Sequence, residues 1–157
     1  IQVEHMNLGA CVWSYHGRRL TFEDGSPSTK IDVTPIRSLS HLMISRHIGL
    51  SSVMVRTEEA KKLPDCSGIY LCEDYVWWGF LFDKYGAPFP IFNLNYEYNI
   101  HSTSASRNKL KMARAVFKLY VWQRRFPVSR LYGLFMFFGY ALNGIFGMVK
   151  QRFMASR

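Results

Sequence analysis

The spacing of apolar positions changes repeatedly along the first hundred residues, and each change marks an element. Residues 1–22 alternate loosely in IQVEH and ACVWSYHGRRLTF, which predicts two strands with a turn near His16 and Gly17. EDGSPSTKIDVTP, residues 23–35, is rich in turn formers and predicts a loop. In IRSLSHLMISRHIG, residues 36–49, Ile36, Leu39, Leu42 and Met43 recur at helical spacing, so a helix stopping at Gly49 is expected. LSSVMVR, residues 50–56, is β-branched and short, and predicts a strand. TEEAKKL, residues 57–63, carries Thr57 as N-cap, acids first, lysines last and Pro64 beyond, and predicts a short helix. A helix over 73–85 closed by Gly86 follows, then a strand over 87–100 with two prolines suited to an edge, then a polar loop over 101–108. This alternation, free of repeats, predicts an α/β layer fold.

After residue 105 the pattern changes. A helix is expected from Ser106 to Phe126, broken at Pro127. At 100° per residue Arg107, Lys111, Arg114, Lys118 and Arg125 form one stripe, with Leu110, Phe117, Tyr120 and Val121 on the neighbouring face. LYGLFMFFGYALNGIFGMV, residues 131–149, then runs 19 residues without a charge between Arg130 and Lys150. That length permits a membrane span. Asn143, four glycines and two tyrosines suit an interfacial or re-entrant helix equally, and a buried core helix is the plainer alternative. The cationic flanks favour membrane contact.

Composition narrows the class. The chain has 157 residues, 48% of them hydrophobic and 16% aromatic, enough for one domain with a core and too apolar for disorder. Its start at Ile1, with no basic-then-apolar leader, is what a cut inside a longer protein would leave. Cys11, Cys66 and Cys72 form no Cys-x-x-Cys pair, which argues against a disulfide framework or structural zinc and fits a reducing cytosol. His41 and His47 are six apart, a spacing that does not share a helical face. The net charge of +9 is lopsided: residues 1–100 hold 9 Lys/Arg and 11 Asp/Glu, whereas residues 101–157 hold 11 Lys/Arg and no acid. A polyanionic partner for the C-terminal third is expected, either nucleic acid or an anionic membrane surface.

The densest chemistry lies in LCEDYVWWGFLFDKYG, residues 71–86, where Glu73 and Asp74 precede two tryptophans and two phenylalanines. Acids favour the first turn of a helix, which explains the pair without any function. A carboxylate held against aromatic walls is also what a general base requires.

The order of GLSSVMVRTEEAKKL, CEDYVWWGFLFDKYG, NYEYNIHSTSASRNK and a basic, aromatic tail resembles the C-terminal half of bacterial family-2 glycosyltransferases, which build O-antigens and other surface polysaccharides. The resemblance covers about residues 30–130. It implies an α/β chain that is the C-terminal part of a GT-A (nucleotide-diphospho-sugar transferase) fold. Residues 1–105 would form the acceptor side, and residues 106–157 a basic amphipathic helix with an apolar, membrane-associating tail. It also implies an inverting sugar transfer in which Asp74, or Glu73 as second choice, deprotonates the acceptor hydroxyl. Trp77 and Trp78 would offer ring faces to a sugar. Tyr98, His101 and Ser104 would contact substrate, with His101 as a ligand for the donor diphosphate or its metal. The family's Tyr-Arg pair reads Tyr98-Asn99 here, so its arginine is missing. The Asp-rich motif for Mg2+ or Mn2+ belongs to the donor half and is not in these residues, so this part alone is expected to be inactive. The implied partners are a nucleotide-sugar donor, a lipid-linked saccharide acceptor and an anionic membrane surface on the cytoplasmic side of the bacterial inner membrane. The rivals are a nucleic-acid binder, in which the uncharged run has no place, and a basic, membrane-anchored module without catalysis.

Overall fold

A computed structural model describes residues 1–9, 11–23, 25, 28–45, 48–69, 71–101, 109–122 and 133–142. The fold is mixed α/β and is organised around one long strand, β1 (Trp13–Phe22). Along one edge of β1 run two short antiparallel partners. β3 (Val53–Val55) pairs at Trp13↔Val55 and Tyr15↔Val53, and β2 (Thr29–Ile31) pairs at Arg18↔Ile31 and Leu20↔Thr29. Along the other edge lies β4 (Phe89–Ile100), parallel to β1 from Ser14↔Phe89 to Phe22↔Ile100, with a shift in register between His16 and Gly17. A parallel pair needs a long crossover. Here it includes α2 (Leu39–Ser45), α3 (Thr57–Ala60) and α4 (Glu73–Tyr85).

Side chains alternate across β1. Trp13 and Tyr15 point into the main core, where they meet Leu42 and Met43 of α2 and Tyr75, Val76, Trp78 and Leu81 of α4. The Tyr15 hydroxyl donates to the Thr34 carbonyl at 2.5 Å, tying β1 to the segment before α2. Ser14 lies on the opposite face, and its hydroxyl accepts from Gln2 Nε2 at 3.0 Å.

Several local expectations are corrected. Residues 1–22 are not two strands: α1 (Gln2–Leu8) precedes a single unbroken β1, and His16-Gly17 is a register shift instead of a turn. Seven residues cannot hold a helix by themselves. Met6 buries against the body of the fold, and Arg56 Nη2 donates to the Met6 carbonyl at 3.1 Å. The expected loop over 23–35 contains β2. α2 starts at Leu39, not at residue 36, because Ser38 caps it, its hydroxyl accepting the His41 N–H at 3.1 Å. A 3₁₀ turn (Leu50–Ser52) takes the first half of the strand expected over 50–56. Thr57 opens α3 without capping it; Arg56 holds the cap position with no side-chain bond. α4 and its end at Gly86 match the pattern, and the φ of 78° at Gly86 is one that glycine adopts without strain.

The basic helix is present as α5 (Lys109–Phe117), continuing into a π-helical turn (Lys118–Trp122). Its inward residues are Met112, Val116, Leu119 and Tyr120. Of the expected apolar face, Tyr120 is buried, whereas Leu110 and Phe117 are 63% and 38% exposed, so the inward face is only partly the one expected. The cause is the cation stripe: Lys111, Arg114 and Lys118 are exposed and turn the opposite side inward. Residues 106–108 and 123–126, with Arg107 and Arg125, lie outside the described residues. Within the uncharged run, residues 133–142 form a further helix, α6. Phe137 of α6 meets Phe117 of α5 edge-on at 5.2 Å, and Gly139 lies against Ile44 of α2, where a Cβ would stand 3.0 Å from Ile44 Cδ1. The Tyr120 hydroxyl donates to the Met43 carbonyl at 2.7 Å. No described helix is long and apolar enough to cross a membrane.

Burial pushes the Tyr15 phenol up from 10.0 to about 12, while the Ile36 backbone pulls it partly back. A raised value means that the stabilisation is complete below the ordinary phenol range and is lost as pH rises through the folded value. Tyr15→Phe should lower stability by about 1 kcal/mol at neutral pH through the lost bond to Thr34. It should also remove this source of alkaline loss, so the gap to the parent narrows between pH 10 and about 12. Parallel denaturation curves for the two proteins across that range would contradict the burial of Tyr15.

Candidate functional site

The acid pair sits at the start of α4, and that helix is held at three places along its length. In the middle, the Trp78 ring stacks on Trp13 of β1 with centroids 5.8 Å apart and planes 23° from parallel. At the C-terminal end, Trp13 Nε1 donates to the Gly86 carbonyl at 3.1 Å. The Tyr85 hydroxyl also reaches Glu59 of α3 there. Near the start, Trp77 Nε1 donates to the Pro64 carbonyl at 3.1 Å, binding the helix to the loop that leads into it. Glu59 accepts from Tyr85 and from Lys62 Nζ at 3.0 Å, and these bonds, Tyr85 first, hold its carboxyl below the usual carboxylate range.

The approach to the pair is tightly shaped. Leu71 has φ 71°, the one non-glycine residue in the left-handed region among the described residues. A branched side chain there costs roughly 1–2 kcal/mol, and such strain gathers at functional turns. The buried Cys72 holds the N-cap position of α4, and Cys66 Sγ lies 3.8 Å from the Glu73 carbonyl. All three cysteines are free thiols, and burial raises that of Cys11. Glu73 and Asp74 are both half-buried, and Asp74 Oδ1 accepts the Tyr75 N–H at 3.0 Å.

The two tryptophans divide. Trp77 lies about one turn beyond Glu73 and Asp74 in α4 and is half-buried, with its Nε1 held by the Pro64 carbonyl. Trp78 is 2% exposed and stacked on Trp13. Its expected role as a ring face for a sugar is corrected: its faces belong to the core, and its buried Nε1 makes no hydrogen bond.

The remaining expected site residues belong to the far end of β4. Tyr98 is half-buried and meets Tyr96 edge-on at 6.3 Å. Asn99 accepts from the Thr21 hydroxyl. His101 is exposed, with Nδ1 3.2 Å from Glu23 Oε1. That gives one imidazole and one carboxylate, and among the described residues no group of three or more His, Cys, Asp or Glu could hold a metal ion. Ser104 lies outside the described residues, as do Ser102 and Ser106. The structure thus gathers Glu73, Asp74 and Trp77 on one helical turn, and sets Tyr98 and His101 on another element. Sequence reasoning missed the residues that fix the acid pair, namely Leu71, Pro64 and Trp13. A tryptophan in an alternating strand was the only signal for the last, and Leu71 gave none.

Compared with known proteins, the chain matches no family, no curated protein and no solved structure.

Proposed function

We propose that the chain is the acceptor-side part of an inverting glycosyltransferase of the GT-A type. It would transfer a sugar from a nucleotide-sugar donor to a lipid-linked saccharide in bacterial surface-polysaccharide synthesis. The observation that carries the reading is the half-exposed acid pair at the first turn of a helix anchored by Trp77, Trp78 and Tyr85. In the transfer, the Asp74 carboxylate takes the proton of the acceptor hydroxyl as that oxygen bonds to the anomeric carbon. The bond from that carbon to the nucleotide diphosphate breaks on the opposite side, and configuration inverts. Glu73 is the second choice for the base. Trp77 shields the acceptor oxygen from water, which keeps the carboxylate effective. The Mg2+ or Mn2+ that neutralises the diphosphate would belong to the donor side of such an enzyme.

The test is Asp74→Asn beside Glu73→Gln in the complete enzyme, with transfer and thermal melting both measured. Loss of general-base help lowers the rate by about 10² to 10⁴. Loss of a favourable charge at a helix start changes stability by only about 0.3–1 kcal/mol. Asp74→Asn should melt close to the parent and transfer at least a hundredfold more slowly. Transfer near the parent rate would reduce Asp74 to a helix-start residue, and loss in Glu73→Gln alone would move the base one residue back.

The membrane side of the reading rests on α6. Gly133, Met136, Phe137 and Tyr140 turn towards the protein. Leu134, Phe135, Phe138 and Leu142 form the opposite, exposed face, with Phe135 and Phe138 at 66% and 62%. The described residues of α6 are apolar all round, which suits burial in a membrane interface. Lys111, Arg114 and Lys118 of the neighbouring α5 match an anionic headgroup layer. The chain should therefore sediment with vesicles containing phosphatidylglycerol, and high salt should release only part of it. Phe135→Ser with Phe138→Ser should weaken binding at any salt while leaving the fold intact. Complete release by salt, or unaltered binding of the double variant, would show that α6 does not enter the interface.

A further inference from the structure

We draw no further inference here: the strongest candidate, the side-chain cluster of His16, Arg18, Tyr96 and Tyr98 on the face of β1 and β4 away from α4, carries no site because the Arg18 guanidinium itself fills the space above Gly49.

Discussion

The contact between Trp13 and Trp78 is the constraint on which the arrangement of this chain depends. Two indoles lie stacked and buried where β1 meets α4. Each buries some 150–250 Å² of mostly apolar surface, and a stacked pair gains about 0.5–1.5 kcal/mol beyond that burial. One of the two rings also bonds to the backbone: Trp13 Nε1 reaches the Gly86 carbonyl, so the strand grips the helix both at its middle and at its end. Trp78 leaves its own Nε1 without a partner. Such a loss is tolerated where the ring's shape is what the site requires. With α4 fixed in this way, its first turn is fixed as well, and with it Glu73 and Asp74.

The same strand explains why the two faces of the sheet differ. Alternation along β1 sends Trp13 and Tyr15 into the main core and puts His16 and Arg18 on the reverse face. β4, parallel to β1, adds Tyr96 and Tyr98 to that reverse face in register. The acid pair is therefore a property of the helix packed on one side, and the Arg18 cluster a property of the other.

Legibility in the sequence followed the strength of the local signal. α4 was readable to the residue because acids at its start, an apolar run and a closing glycine all agree. The α/β class was readable from alternation. α1 was not: seven residues with one buried methionine give no period, and the helix exists because Arg56, fifty residues away, caps its carbonyl. The single long β1 was read as two strands because Gly17 suggested a turn, whereas pairing on both edges keeps the backbone extended there. In the candidate site, Glu73 and Asp74 stood out by composition. That Trp77 stays half-buried while Trp78 is buried against Trp13 depends on where β1 lies, and no spacing within α4 discloses that.

The account is tested most directly by native-state hydrogen exchange on the backbone amides of α4 and β1. If the Trp13–Trp78 contact and the Gly86 bond unite the two elements, the amides of residues 77–84 and of the middle of β1 should exchange only through one shared opening, at the free energy of global unfolding. Trp13→Phe, which removes the bond to Gly86, should lower the protection of both together. Exchange of the α4 amides at a distinctly lower free energy, with β1 still protected, would show that the helix opens alone and that β1 does not hold the acid pair in place.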